Sequence, residues 1–256
     1  MSLMTLAARV GAAANDEAWV YHSRVSTRHR YVAVAVPKVG CTSIKRALHE
    51  LEGLPRTERL ALDHDAGEQM RLARFAANDI AQMFSATDWL KFTFVRNPYD
   101  RMLSAWKSKI LARHDTQYAP LRQRIRDELH YPRKQDEVDP PVVAFGDFVR
   151  FVASCADRAV TGDGHWERQI VVGRHDLIPY DVIGRFESFE ADFRAVLERL
   201  GAPADVVAMA KEVTNSTEPL PTAAAYDTDL AAIVYDHYRD DFEAFGYERD
   251  SWVMRR

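Results

Sequence analysis

Cysteine is nearly absent: Cys41 and Cys155 are the two in 256 residues. Two thiols make no disulfide framework, and a reducing compartment fits them. Long apolar runs are missing as well. The stretch from Leu3 to Ala14 is broken by Arg9, too short and interrupted for a spanning helix or a secretory core. Positive charge is not in excess, since 34 Lys and Arg stand against 38 Asp and Glu for a net charge of −4. That excludes a global basic surface for nucleic acid or anionic membrane, so any attraction for an anion has to be local. There is no internal repeat, no zinc-spaced Cys/His cluster, no G-x-S-x-G elbow and no dinucleotide G-x-G-x-x-G. The expectation left by these absences is a cytoplasmic protein with no transmembrane segment.

What is present suits one sizeable core, with 47% hydrophobic residues. Short apolar runs predict strands near 31–36, 91–95 and 181–186. Helical patterns fall at about 43–51, 67–84, 98–112, 119–129, 145–156, 188–200, 203–213 and 226–243. In the last, Tyr226, Leu230, Ile233, Val234, Tyr238 and Phe242 share one stripe. Strands separated by helices predict an α/β fold of three layers, a parallel central sheet with helices on both faces and ligands at the strand C-terminal ends. Residues 1–256 are expected to form one domain, with 1–29 at its periphery. The polar segment from Arg113 to Pro141 reads as a solvated helix and loop, or as an acceptor-side lip.

The run Tyr31–Val36 ends at Pro37 and breaks into Lys38-Val39-Gly40-Cys41-Thr42-Ser43 before the helical Ile44–Leu48. Strand, glycine-bearing turn and helix start form an anion-holding, P-loop-like arrangement. Gly40 admits a close backbone approach, the helix N-terminus offers N–H groups, and Lys38 adds a full charge. The spacing departs from G-x-x-x-x-G-K-[ST], because here the lysine precedes the glycine. An ordinary turn capped by Thr42 or Ser43 fits the same residues.

A second run, Lys91–Val95, leads into Arg96-Asn97-Pro98-Tyr99-Asp100-Arg101-Met102-Leu103-Ser104. Pro98 suits a first helical turn. Arg96 at a strand end can grip a phosphate through two hydrogen bonds, and Ser104, two turns on, can supplement it. Alone, the pair fits a surface ion pair and a packing serine.

Pro37–Ser43 followed by Phe94–Ser104 resembles the paired signature of sulfotransferases that use 3′-phosphoadenosine 5′-phosphosulfate (PAPS). Gly164-His165-Trp166 through Gln169, Tyr180 through Glu187, and Tyr238 through Tyr247 are similar to segments of the Golgi carbohydrate sulfotransferases of chondroitin and dermatan type. The expectation is a departure from those enzymes in having no membrane anchor and few of their cysteines. The resemblance implies that Lys38, Gly40, Cys41, Thr42 and Ser43 cradle the 5′-phosphosulfate and that Arg96 and Ser104 hold the 3′-phosphate; Asn215 and Ser216 lie where related enzymes return a loop over the nucleotide, and a plain turn fits them equally well. PAPS is then the co-substrate, no metal is expected, and the acceptor is a carbohydrate hydroxyl.

In-line sulfuryl transfer needs positioning and charge stabilisation, as phosphoryl transfer does. Lys38 is the candidate at the leaving group, and a hydroxyl acceptor needs a general base. The resemblance makes His64, between Asp63 and Asp65, the first choice, with His165 second and His49 third. Glu187 could orient the acceptor or merely begin a helix. Two other functions remain open: a nucleotide kinase with an atypical phosphate loop, and a non-catalytic nucleotide-binding scaffold. The kinase would need a strand-ending magnesium ligand, and Asp100 lies past Pro98 in a helical setting.

Overall fold

The alternation in Tyr31-Val32-Ala33-Val34 sorts side chains onto two faces of a sheet, and both faces are covered. In the computed structural model, which describes residues 2–13, 17–54, 70–112, 116–131, 141–212 and 221–253, the strands are β1 (Ser23–Ser26), β2 (Tyr31–Val34), β3 (Leu90–Val95) and β4 (Val182–Arg185). In chain order the helices are α1 (Leu3–Ala13), α2 (Glu17–His22), α3 (Cys41–Leu51), α4 (Ala77–Ser85), α5 (Pro98–Ala105), α6 (Ala119–Glu128) and α7 (Phe145–Ser154). There follow α8 (Arg158–Thr161), α9 (Gln169–Val172), α10 (Phe189–Arg199), α11 (Ala204–Ala208), α12 (Thr222–Ala225), α13 (Thr228–His237) and α14 (Arg239–Phe245). The chain divides into two compact units, Met1–Arg96 with Gln169–Asn215, and Asn97–Arg168 with Ser216–Arg256.

The first unit holds the sheet, ordered β1-β2-β3-β4. Strands β2, β3 and β4 run parallel, with Tyr31 opposite Leu90 and Phe92 opposite Val182. Strand β1 closes the edge antiparallel to β2, Val25 facing Val32. Tyr31, Ala33, Phe92 and Phe94 pack on one face with Ile44, Ala47 and Leu48 of α3 and Phe189, Phe193 and Val196 of α10. Val32 and Val34 pack on the other with Val10 of α1, Trp19 of α2, and Ile80 and Phe84 of α4. Strands buried on both faces read as mainly apolar runs, which is why β2 and β3 are visible in the sequence, whereas β4 is partly exposed, with Ile183 at 44%.

Within the first 29 residues, Val10 and Trp19 are buried in this core, and β1 is part of the sheet. Strand β1, Ser23-Arg24-Val25-Ser26, carries one apolar residue, so no alternating pattern marks it. The helix expected over 67–84 is a short 3-10 turn, Leu72–Arg74, followed by α4 from Ala77, with Phe75 and Ala76 extended between them. Residues 67–69 lie outside the described residues.

The second unit is helical. Its core gathers Tyr99, Phe148, Trp166, Tyr226 and Phe242, whose rings meet mostly edge to face. The expected helix over 98–112 is present, but its second half, Trp106–Leu111, widens into a π-helix. The expected helix over 226–243 is two, because Tyr238 leaves helical geometry at φ −108° and ψ 22°. Its buried hydroxyl donates to the Trp166 carbonyl. Among the described residues no helix is long and apolar enough to cross a membrane.

Candidate anion-binding site

The turn after β2 is built from two left-handed residues. Lys38 has φ 70° and Gly40 has φ 81°. A lysine pays roughly 1–2 kcal/mol for that region, and such strain persists where a site requires the geometry. Gly40 is required twice over. Its φ suits glycine, and a Cβ there would lie 2.6 Å from Cε2 of Phe189.

Gly40, not Thr42 or Ser43, caps α3, so the helix begins at Cys41, and its first turn carries no acid. The opening N–H groups of a helix have no intrahelical partner and sit at the positive end of its dipole. Lys38, Gly40, Cys41, Thr42 and Ser43 therefore lie on one turn and one helix start.

Arg96 joins them. Its Nη1 donates to the Lys38 carbonyl at 3.2 Å, and its guanidinium lies 4.3 Å from the centre of the Phe186 ring. Its backbone is held by Gln169, which is fully buried: Arg96 N donates to Oε1 at 2.9 Å, and Nε2 donates to the Arg96 carbonyl at 2.9 Å. Gln169 stands 73 residues away in sequence, and no local pattern marks such a clamp.

In the second unit, Asn97 caps α5 by accepting from Tyr99 N at 3.0 Å, with Pro98 in the first turn. Ser104 is half-buried on this helix. Asp100 is buried and accepts a hydrogen bond from the Thr222 hydroxyl, the setting of a packing residue and not of a magnesium ligand.

His165 Nδ1 lies 2.7 Å from Asp163 Oδ1 and 3.0 Å from the Tyr118 hydroxyl, which donates to Asp163 Oδ2 at 3.0 Å. Burial opposes charge on Asp163, yet the hydrogen bonds from His165 and Tyr118 outweigh it and hold the carboxyl below its ordinary range. Arg101, 2% exposed, pins the same turn by donating to the carbonyls of Glu167 and Gly164, each at 2.7 Å. Glu187 is exposed in a 3-10 turn after β4. His64, Asn215 and Ser216 lie outside the described residues.

A sequence model described as the sulfotransferase family matches residues 21–248. The chain belongs to this family. It is 26% identical to carbohydrate sulfotransferase 9 of Homo sapiens over 93% of its own length, and 28% identical to human carbohydrate sulfotransferase 8 over 88%. Carbohydrate sulfotransferase 10 of Gallus gallus is 26% identical over 90% of the chain. The chain spans 57% and 55% of the length of the first two, and 67% of the third. No solved structure matches it.

Proposed function

We propose that this chain is a PAPS-dependent sulfotransferase that moves a sulfonate group to a hydroxyl of a carbohydrate acceptor. The observation that carries the reading is the meeting of Arg96 and Lys38. The Arg96 guanidinium from the end of β3 is bonded to the main chain of Lys38 in the turn after β2, beside a helix start whose glycine cap offers no side-chain acceptor. The names of the relatives supply the acceptor class.

In this mechanism the first-turn N–H groups of α3 and the Lys38 ammonium hold the 5′-phosphate and neutralise charge on the bridging oxygen as the S–O bond breaks. Arg96, stacked on Phe186 and tied to Gln169, holds the 3′-phosphate through charge-assisted hydrogen bonds. Ser104, Asn215 and Ser216 keep their donor-contact roles on the strength of the sequence motifs. The acceptor hydroxyl loses its proton to a general base, for which His64 and His165 are the candidates. Asp163 at Nδ1 fixes the His165 ring so that Nε2 is the basic nitrogen.

Calorimetry with 3′-phosphoadenosine 5′-phosphate (PAP) in magnesium-free buffer tests the reading, together with radiolabelled-sulfate transfer to a glycan panel. Binding without metal and label transfer to a saccharide are expected. Preference for magnesium-ATP would replace the sulfotransferase with a kinase, and binding of neither nucleotide would leave a scaffold.

A further inference from the structure

Asp163 opens a tight turn. Its carbonyl accepts from Trp166 N at 3.0 Å and Glu167 N at 2.7 Å, and its Oδ1 accepts from His165 N at 2.8 Å. The same carboxylate oxygen lies 2.7 Å from His165 Nδ1. A carboxylate held through one oxygen can still turn about its Cβ–Cγ bond, because that torsion is broad and two-fold. Tyr118 removes this freedom by donating its hydroxyl to the other oxygen, Oδ2, at 3.0 Å. It stands 45 residues before Asp163, at the end of the 3-10 turn Thr116–Tyr118 that leads into α6.

A phenol is a donor and an acceptor at once. With its proton committed to Asp163, the Tyr118 oxygen turns lone pairs toward His165 Nδ1, 3.0 Å away. Nδ1 therefore meets two acceptors, Asp163 Oδ1 and Tyr118 Oη, and both favour a proton on that nitrogen. The Tyr118 ring is itself fixed. It is 5% exposed, meets the rings of His165 and Trp166 edge to face at 5.8 Å, and has the Lys109 ammonium 4.9 Å from its centre. Burial opposes the charge on Asp163, but the bonds from His165 and Tyr118 hold its carboxyl below the ordinary range, so it is an anion wherever a histidine titrates.

We propose that Tyr118 is a positioning residue for proton transfer: it locks Asp163 and shares the Nδ1 proton, which sets the tautomer and ring orientation of His165 and leaves the Nε2 lone pair as the base. The use made of that base rests on the sulfotransferase reading; the hold on the ring rests on the three hydrogen bonds. In the transfer step the acceptor O–H gives its proton to Nε2 as its oxygen bonds to sulfur and the S–O bond to the 5′-phosphate breaks. The imidazolium so formed faces an anion and a phenol oxygen through Nδ1–H. Tyr118 acts through His165, not on the substrate.

Tyr118→Phe tests this, because it keeps the ring and removes one oxygen. Long-range proton–nitrogen spectra of the full chain at about pH 8.5, above the ordinary histidine range, read the neutral tautomers. The His165 signals are picked out of the nine histidines by their loss in His165→Gln. In the wild type His165 should be the Nδ1–H form. In Tyr118→Phe the ratio of Nε2–H to Nδ1–H should rise about three- to tenfold, and kcat should fall by about the same factor, the worth of one hydrogen bond. Acceptor KM and PAP affinity should stay within about twofold. Tyr118→Leu, which removes the ring as well, should lower the melting midpoint further than Tyr118→Phe and so measures the packing alone.

An Nε2–H form in the wild type overturns the proposal, and that spectrum decides even if neither variant folds. An unchanged tautomer ratio in Tyr118→Phe overturns it too. So does a shifted ratio with kcat intact, since the base is then another residue, and so does a loss confined to KM or PAP affinity, since Tyr118 then touches a substrate. Should the wild type transfer sulfate to no glycan, the sulfotransferase reading falls by itself, and the tautomer ratio still decides whether Tyr118 sets the ring.

Discussion

The guanidinium of Arg96 donates to the main-chain carbonyl of Lys38 at 3.2 Å, so the end of β3 is fastened to the turn after β2. Two residues 58 apart in sequence thus share one edge of the parallel sheet. Their functions separate in the proposed mechanism. Lys38→Ala should lower kcat about 10²–10³-fold, the usual loss of a donor aimed at developing charge. Arg96→Lys should instead raise the PAP dissociation constant with a smaller effect on kcat, since a point charge cannot reproduce the paired donors. Steady-state kinetics with PAP calorimetry measures both.

Gly40→Ala is expected to destabilise the fold by about 2–4 kcal/mol, from a positive φ and a Cβ placed against Phe189. The double variant Gly40→Ala, Phe189→Leu should be less destabilised than the sum of its parts, because the clash goes and the φ cost stays. Urea midpoints of the four species give the comparison.

Arg101→Met should cost about 3–5 kcal/mol, since it strips two buried carbonyls, those of Gly164 and Glu167, of charged donors. The melting midpoint reports the loss. A midpoint within a degree of wild type would mean that the turn carrying His165 is held by other contacts.

Asp163→Asn tests the hold on His165. If His165 is the base, kcat should fall and the acidic limb of its pH profile should shift, while PAP affinity is unchanged. A flat profile in Asp163→Asn with normal turnover would pass the role to His64.

The pH dependence of stability has a defined sign at His175. Burial lowers this histidine from 6.5 to about 4, against a small opposing pull from Asp176. Between those values the unfolded chain binds the proton and the folded chain does not, so this contribution is present above pH 6.5 and lost as pH falls toward 4. Urea midpoints measured from pH 7 to 4 should decline, and His175→Gln should decline less steeply.

Strands β2 and β3 were legible because burial on both faces favours apolar runs, and the loop was legible because proline, lysine, glycine and hydroxyls punctuate one. Strand β1 was not, since an edge strand with Arg24 and two serines has no periodicity. The interruption at Tyr238 was not either: a buried tyrosine looks like one more member of a helical stripe until its hydroxyl finds the Trp166 carbonyl. Thr42 and Ser43 offered themselves as caps of α3 because hydroxyl side chains are the commoner signal, and the left-handed Gly40 that caps it gives no side chain to read. Gln169 escaped for another reason. Its partners are main-chain groups, which every residue has, so the sequence carries no complementary letter for it.

Gln169 returns with a topological consequence. Its amide binds both the N–H and the carbonyl of Arg96, as a neighbouring strand would, and these two residues flank the whole stretch from Asn97 to Arg168. That excursion therefore departs and comes home through one clasped gate. Changes confined to residues 97–168 leave the clasp intact as long as the two residues that close it, Arg96 and Gln169, are kept.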